Sequence, residues 1–209
     1  MTTIDVDTPH GPGRVHLHPA GAEAVAALVL GHGANGQVGA PDLLRATEVA
    51  NAHAVSVALV EQPYSVAGRR APAPPRQLDA AWLAVIEHLQ SDEHAGLPLI
   101  AGGRSMGARV ACRTAAQGGA IGVLCLAFPV HPPGRPEKSR LEELDAVEVP
   151  TLVVQGKRDS FGMPPPASGR EVVEVEGDHG LKKDLDAVGA AVGDWLGRVT
   201  RSPRAPAGT

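Results

Sequence analysis

Aromatic side chains are scarce in this 209-residue chain, which has two Trp, one Tyr and two Phe, or 2% of its residues. Proteins that bind single-stranded nucleic acid stack bases on aromatic rings, and so few rings cannot build such a platform. The Lys and Arg residues are scattered and the formal net charge is −4, so a basic footprint for nucleic acid is missing as well. We therefore expect no nucleic-acid partner and a core of Ala, Val, Leu and Ile.

Cysteine and long apolar runs are scarce too. The two cysteines, Cys112 and Cys125, lie in apolar contexts, where a buried free thiol acts as a small hydrophobe. Neither a disulfide framework nor a metal site is predicted. No apolar run reaches about 18 residues, and the N-terminus has no signal-peptide pattern, which argues against a membrane span or secretion. We expect a cytoplasmic protein with no cofactor, no metal and no membrane partner.

One stretch, residues 97–111, combines an apolar run, two glycines, a serine and an alanine-rich helical pattern. Its sequence Gly103-x-Ser105-x-Gly107 matches the nucleophile elbow, a strand, turn and helix in which the flanking glycines permit a tight reversal. Such a turn exposes the serine at the carboxyl end of a strand. The N–H of Met106 falls in the first helical turn, where it can donate to an oxyanion. The bare motif also arises by chance, so it needs support from the rest of the chain.

Strand and helix patterns alternate along the remaining sequence. The predicted strands are 3–6, 14–18, 24–30, 55–60, 97–101, 123–128, 151–155 and 171–175, and the predicted helices are 41–53, 76–90, 108–117, 141–147 and 185–199. Continuous apolar strands predict an α/β fold with a mostly parallel, doubly wound sheet and helices on both faces, and the first two strands predict an antiparallel edge hairpin. We expect a single domain over residues 1–199 and a disordered tail over 200–209.

Three residues with complementary chemistry fall at the carboxyl ends of predicted strands, namely Ser105, Asp159 and His179. Ligands of doubly wound sheets bind at this edge, and nucleophile, acid and base appear in the chain order expected of a hydrolase on such a sheet. A serine hydroxyl needs a neutral imidazole to remove its proton, and a buried carboxylate fixes the tautomer of that imidazole. The joint placement predicts a catalytic triad.

Other residues compete for the acid and base roles. Asp178 neighbours His179, but a carboxylate one residue away cannot readily reach behind the adjacent ring, so we prefer Asp159. His32 and His131 are alternative bases, and their loop positions favour places at the rim of the site. Since His32 follows a strand directly, we expect it to hold its loop in shape.

A glycine-dense loop, residues 31–36, ends the third predicted strand. Substrates can approach the backbone of such a turn, so the N–H of Ala34 or Asn35 is predicted to be the second oxyanion donor. An ordinary strand-to-helix turn that needs glycine for its positive φ is the alternative interpretation. Two proline-rich loops, 65–75 and 129–136, are predicted to complete the rim.

Side chains of the rim have little large apolar surface. The predicted substrate contacts are Asn35, Tyr64, Arg69, Arg70 and His131. A guanidinium fork binds carboxylate or phosphate well, so the rim suggests a substrate that carries an acid or phosphate group. Solvated loop charge is the alternative use of both arginines.

Four motifs together resemble the α/β-hydrolase superfamily in its small, lidless, dienelactone-hydrolase-like branch: Gly-Arg-Ser105-Met-Gly, Gly-His-Gly-Ala34-Asn-Gly, Gln-Gly-Lys-Arg-Asp159 and Gly-Asp-His179-Gly. The resemblance spans essentially the whole predicted domain. It implies the α/β-hydrolase fold without a separate lid domain. It also implies a triad of Ser105, Asp159 and His179, with the amides of Met106 and Ala34 as the oxyanion hole.

A narrower resemblance rests on Gln62-Pro63-Tyr64, Gly68-Arg69-Arg70 and the proline-rich run after Phe128, which are similar to a hydrolase-like group related to testis-expressed and chromatin-complex proteins. Dienelactone hydrolases proper use a cysteine nucleophile, whereas this chain has a serine, which points away from a dienelactone substrate. We predict a serine esterase or thioesterase for a small soluble acyl substrate, as a monomer or homodimer. The alternative is a hydrolase-like binding or scaffolding domain, since fold does not imply function.

Overall fold

An eight-stranded sheet forms the centre of the protein in a computed structural model, which describes residues 2–36 and 38–201. The strands are β1 (Thr2–Val6), β2 (Gly13–His18), β3 (Ala26–Gly31), β4 (Val55–Glu61), β5 (Leu99–Arg104), β6 (Gly122–Leu126), β7 (Thr151–Gly156) and β8 (Arg170–Val175). Their order across the sheet is β1-β2-β4-β3-β5-β6-β7-β8. Strand β2 runs antiparallel to β1 and β4, and the other neighbours pair in parallel. The predicted sheet and its edge hairpin are confirmed.

Six helices accompany the sheet in the described residues. They are α1 (Pro41–Ala52), α2 (Pro63–Val66), α3 (Pro75–Ser91), α4 (Met106–Thr114), α5 (Leu141–Asp145) and α6 (Leu185–Val199). Proline occupies the first turn of α1, α2 and α3, where its missing N–H costs nothing. Helices α1 and α6 cover one face of the sheet and α3, α4 and α5 cover the other, and the described residues form no separate lid domain.

The core lies in two layers, one on each face of the sheet. All six residues of β3 are buried, and they alternate between the layers: Val29 packs towards α3 and α4, while Leu28 and Leu30 pack towards α1 and α6. This alternation explains the continuous apolar runs, because both faces of a central strand are covered. Both cysteines are buried and free. No helix in the described part of the chain has the length and apolarity needed to cross a membrane.

Local differences from the sequence prediction concern element boundaries. The chain from Ser65 was predicted to be loop, but Pro63 opens the short helix α2, because a proline fits the first turn of a helix as well as it breaks an interior. The third strand begins at Ala26 rather than at residue 24, and Val25 is 49% exposed. Of the predicted tail, residues 202–209 lie outside the described residues.

Three glycines allow α4 to approach β3 at backbone contact. A Cβ atom on Gly107 would collide with the carbonyl oxygen of Gly31, and one on Gly103 would lie 2.6 Å from the same oxygen. Since the obstacle is main chain, it cannot rotate away. The glycines of the elbow motif are therefore required by the helix position as well as by the turn.

The close approach predicts an unequal response to alanine. Gly107→Ala places a methyl group against the backbone of β3, and we expect it to lower the free energy of unfolding by roughly 1–3 kcal/mol, the usual cost of overpacking. Gly39→Ala is the control, because a Cβ there meets nothing within 4 Å. Urea unfolding followed by circular dichroism measures both, and equal midpoints for the two variants would contradict the analysis.

Candidate active site

Ser105 sits at the sharp turn between β5 and α4 with φ 51° and ψ −107°. A positive φ is uncommon for a residue with a side chain and costs energy that the surrounding structure must supply. The turn is held by the Ser105 N–H, which donates to the Leu126 carbonyl at 2.9 Å. The motif thus adopts the nucleophile-elbow conformation, with the serine at the carboxyl end of the strand.

The structure brings Ser105, His179 and Asp159 together. His179 Nε2 lies 2.8 Å from Ser105 Oγ, and His179 Nδ1 lies 2.8 Å from Asp159 Oδ2. A carboxylate accepts, so Nδ1 carries the hydrogen and Nε2 is free to accept the serine proton. The Asp159 side chain is 1% exposed and the His179 side chain 18% exposed. This arrangement can deprotonate the serine hydroxyl and stabilise the resulting imidazolium.

Asp159 is held by two further donors. Gln155 Nε2 donates to Asp159 Oδ2 at 2.8 Å, and the Phe161 N–H donates to Oδ1 at 2.8 Å. Gln155 Nε2 also reaches the carbonyl oxygens of Phe128 and Gly162, at 3.1 and 2.9 Å. The buried carboxylate is therefore hydrogen-bonded at both oxygens, as a buried charge must be.

Phe161 packs on the imidazole of His179. The two rings are stacked with centroids 4.0 Å apart and planes inclined by 28°. His131, predicted to be a substrate contact, supports this segment: its N–H donates to the Phe161 carbonyl at 3.0 Å, and its Nδ1 bonds the Pro132 carbonyl at 2.9 Å. His131 thus contacts the main chain of Phe161, and neither of its two bonds is to Ser105.

The competing carboxylate points elsewhere. Asp178 Oδ1 accepts from the N–H of Gly180 at 2.9 Å, two residues further on, and Asp178 is exposed. Local geometry therefore directs the adjacent carboxylate into its own turn, and the acid from the loop after β7 meets the imidazole instead.

His32 is fully buried beneath the loop 31–36. Its Nδ1 donates to the Gly33 carbonyl at 2.6 Å, and its Nε2 accepts from the Gln62 N–H at 3.0 Å. Burial lowers the pKa of His32, partly offset by the Gly33 carbonyl and the charge of Glu61. With both ring nitrogens used by backbone groups, His32 holds the loop in shape.

Two backbone amides, those of Met106 and Ala34, are the candidate oxyanion donors. The N–H groups of Met106 and Ala34 donate to no acceptor among the residues that the structure describes. Met106 opens α4, where the positive end of the helix dipole adds to its donor strength. Asn35, the alternative donor, is exposed next to Ala34. The geometry leaves both amides available to a negatively charged oxygen.

Tyr64 lies against this loop from the side of α2. Its hydroxyl donates to the Ala34 carbonyl at 3.0 Å and lies 3.8 Å from Met106 Sδ, and the residue is 4% exposed. Burial raises the pKa of Tyr64 to about 12, so the hydroxyl remains a donor. The prediction of a substrate contact overlooked this bond, which ties Tyr64 to the main chain of the loop that holds the candidate oxyanion donor Ala34.

The two arginines predicted at the rim, Arg69 and Arg70, have different surroundings. Arg69 lines a cavity of about 320 Å³ between the turn after β1, helix α2 and the start of α3, where Tyr64, Gln77 and Leu78 also line it. Arg70 is exposed and does not line that cavity. Of the pair, Arg69 is therefore the one placed beside a concave surface.

Sequence reasoning missed Gln155, Phe161 and Arg104. A glutamine at the end of the buried strand β7 is a recognisable signal, because a buried polar side chain needs partners. Nothing in the sequence indicates that Phe161 contacts His179, apart from its position two residues after Asp159. Arg104 occupies the variable position of the elbow motif, yet its Nη2 donates to the His179 carbonyl at 2.8 Å and its Nε lies 2.8 Å from Asp42 Oδ2.

One group of side chains could hold a metal ion in the described part of the chain. It consists of His88, Asp92 and Glu93, whose ligand atoms lie within 4.8 Å of one another. The group surrounds the C-terminal end of α3, before β5 begins. It therefore lies towards the amino end of the strand whose carboxyl end carries Ser105, and it has no part in the candidate active site.

Comparisons with known proteins identify the family and the fold. The family described as "Alpha/beta hydrolase domain" matches residues 24–185. Among solved structures, a lidless alpha/beta serine hydrolase from Xanthomonas campestris aligns with a TM-score of 0.80 at 18% identity, over 97% of this chain and 96% of that one. Est1E from Butyrivibrio proteoclasticus aligns with a TM-score of 0.75 at 15% identity, over 96% of this chain and 99% of that one. Dienelactone hydrolase from Anabaena variabilis aligns with a TM-score of 0.73 at 16% identity, over 94% of this chain and 96% of that one.

These matches bear on the predicted resemblance. The family match covers most of the described chain and confirms the predicted superfamily, and the solved structures share its fold. A lidless hydrolase and a dienelactone hydrolase are both among them, as the sequence predicts. The narrower resemblance to the testis-expressed and chromatin-complex group stays a prediction.

The environment of His32 predicts a pH-dependent stability. Its pKa in the folded protein lies below the usual 6.5, so the unfolded chain binds the extra proton first as the pH falls. The free energy of unfolding should therefore decrease below about pH 6.5, and His32→Gln should flatten that slope. His18 and His94, whose pKa values burial also lowers, leave a residual slope.

Urea titrations at several pH values between about 5 and 8 give the measurement. His10→Gln is the control, since His10 is exposed and its replacement should keep the wild-type slope. An unchanged slope in His32→Gln would contradict the assignment of a buried neutral imidazole.

Proposed function

The chain belongs to the alpha/beta hydrolase family, and on that basis we propose that it is a serine-dependent acyl hydrolase that cleaves an ester or thioester of a small soluble acid. One observation carries the proposal. Ser105 Oγ, the His179 ring and the Asp159 carboxylate are linked in series by two contacts of 2.8 Å. The N–H of Met106 at the same turn and the N–H of Ala34 in the loop 31–36 donate to no acceptor among the described residues.

In the proposed acylation step, Ser105 Oγ attacks the carbonyl carbon of the substrate and its proton passes to His179 Nε2. The Asp159 carboxylate stabilises the imidazolium through the bond to Nδ1. The carbonyl oxygen becomes an oxyanion that the N–H groups of Met106 and Ala34 bind. When the tetrahedral intermediate collapses, His179 returns the proton to the departing alcohol or thiol, and an acyl-serine remains.

In the proposed deacylation step, water takes the place of the departed alcohol or thiol. His179 Nε2 removes a proton from the water as the oxygen attacks the acyl carbon, and the same two amides bind the second oxyanion. Collapse releases the acid and returns the proton to Ser105 Oγ. The enzyme is restored, and the net reaction consumes one water for each ester or thioester.

Removal of the nucleophile tests the proposal. Ser105→Ala deletes the attacking oxygen and should lower kcat on short p-nitrophenyl esters by at least about 10³-fold, leaving only the catalysis supplied by binding and the oxyanion hole. Ser91→Ala, which removes a hydroxyl at the far end of α3, is the matched control. Comparable hydrolysis by the Ser105→Ala protein and the wild type would exclude the assignment.

Covalent labelling separates the enzyme from the alternative of a binding or scaffolding domain. A fluorophosphonate reacts with a serine that an adjacent imidazole activates, so the proposed enzyme should incorporate one label at Ser105. Folded protein in which Ser105 does not react would favour the binding domain. Mass spectrometry of the labelled peptide identifies the site.

We also propose that the substrate carries an anionic group. Arg69 lines the cavity next to Tyr64, and none of the described residues that line it is acidic. The start of α3 contributes Gln77 and Leu78 to the same cavity, and no acidic residue occupies its first turn to offset the positive end of the helix dipole. A carboxylate would therefore find two favourable partners there.

Paired esters test the anionic preference. The p-nitrophenyl monoester of adipic acid and p-nitrophenyl hexanoate have six acyl carbons each and differ in the terminal carboxylate. Arg69→Ala should lower kcat/KM for the charged ester by about 10-fold, the value of a charged hydrogen bond, and leave the neutral ester unchanged. Arg70→Ala is the matched control and should alter neither. Equal losses on both esters would contradict the proposal.

A further inference from the structure

We infer that Arg104 is a positioning residue of the active site, which holds the backbone of His179 in register with the loop 31–36. The inference rests on the proposed function, because the alignment in question is that of nucleophile, base and oxyanion donors. Three contacts of a single guanidinium group carry it, one from each nitrogen.

The first contact reaches the loop that carries the base. Arg104 Nη2 donates to the His179 carbonyl oxygen at 2.8 Å. Arg104 ends β5, whereas His179 follows β8, and β6 and β7 lie between these strands in the sheet. Two strands of the sheet therefore separate the main chain of His179 from the elbow. Arg104 shortens that path to one side chain, from the residue directly before the serine.

The second contact fixes the other end of the guanidinium. Arg104 Nε lies 2.8 Å from Asp42 Oδ2, and the Asp42 side chain is fully buried. Burial raises the pKa of Asp42, while the charge of Arg104 and the N–H of Leu43 act in the opposite direction. A buried carboxylate cannot exchange its partner for water, so the ion pair anchors the guanidinium to the first turn of α1.

The third contact is with the loop 31–36, which holds the proposed oxyanion donor Ala34. A Cβ atom on Gly33 would lie 3.0 Å from Arg104 Nη1 and 3.8 Å from Ser105 Cβ. The guanidinium therefore packs against the backbone one residue before Ala34. Since the group is planar and rigid, it relates helix α1, this loop and the His179 loop to one another. A lysine carries all of its donors on one nitrogen, so it cannot span three partners that contact three different nitrogens of the guanidinium group.

A simpler interpretation is that Arg104 only neutralises the buried charge of Asp42. The two interpretations differ when both charges are removed together. If neutralisation is the whole role, Arg104→Met combined with Asp42→Leu restores wild-type activity. If Arg104 positions the base, the charge-free protein folds and remains slow, because the bond to the His179 carbonyl is still missing.

The experiment compares Arg104→Lys and the charge-free double variant with the wild type on short p-nitrophenyl esters. We expect kcat to fall by about 10- to 100-fold in both variants, as for a misplacement of the base by about 1 Å, with KM nearly unchanged. Arg113→Lys is the matched control. Arg113 lies in α4 and forms ion pairs with Asp79 and Glu143, and its side chain is 18% exposed against 14% for that of Arg104.

A readout that does not need turnover completes the test. The proton between His179 Nδ1 and Asp159 should give a low-field resonance in the NMR spectrum of the wild type and of Arg113→Lys. It should shift or broaden in Arg104→Lys and in the double variant. If Ser105→Ala hydrolyses esters as well as the wild type, the proposed function fails, and this resonance still decides the role of Arg104.

Two results would overturn the inference. One is wild-type kcat together with an unchanged resonance in Arg104→Lys. The other is recovery of both in the double variant, which would leave charge neutralisation as the role of Arg104. If Arg104→Lys does not fold, the double variant alone decides between the two interpretations, because it buries no unpaired charge.

Discussion

The structure depends on a backbone contact between the start of α4 and the end of β3. Glycine at 31, 103 and 107 lets the helix approach the sheet closely enough for main chain to touch main chain. The loop 31–36 continues directly from β3, so the same contact sets how far the candidate oxyanion donor Ala34 lies from Ser105. A side chain at any of the three positions would move Ser105 and the loop 31–36 apart.

Around that contact, the site is fixed before any substrate arrives. Asp159 has donors at both oxygens, His32 uses both ring nitrogens, and Arg104 pairs with the buried Asp42. Polar groups arranged in this way need little reorganisation when charge develops on an oxyanion or an imidazolium. The arrangement costs stability through desolvation, and it keeps each group in a single orientation.

Much of this could be predicted from sequence because the signals are local. Continuous apolar runs define the central strands, glycines flank Ser105, and the loops after β7 and β8 each place a polar residue at the carboxyl edge. The steric argument against Asp178 agrees with the turn it forms. What sequence could not give depends on contacts across the fold. The sequence predicts Tyr64 at the rim, and only the structure shows that its hydroxyl donates to the Ala34 carbonyl. Arg104 belongs to no recognisable sequence pattern, because its partners Asp42 and His179 lie 62 and 75 positions away in the chain.

The scarcity of aromatic residues has an optical consequence. Trp82 and Trp195 are the two tryptophans of the chain, and they lie in opposite layers, Trp82 with α3 and α4 and Trp195 with α1 and α6. A Cβ on Gly31 would lie 3.3 Å from the Trp82 ring, so this indole packs against the strand end that leads into the loop 31–36. The intrinsic fluorescence of the protein therefore contains one emitter under the edge that carries the candidate active site and one internal reference on the other face of the sheet.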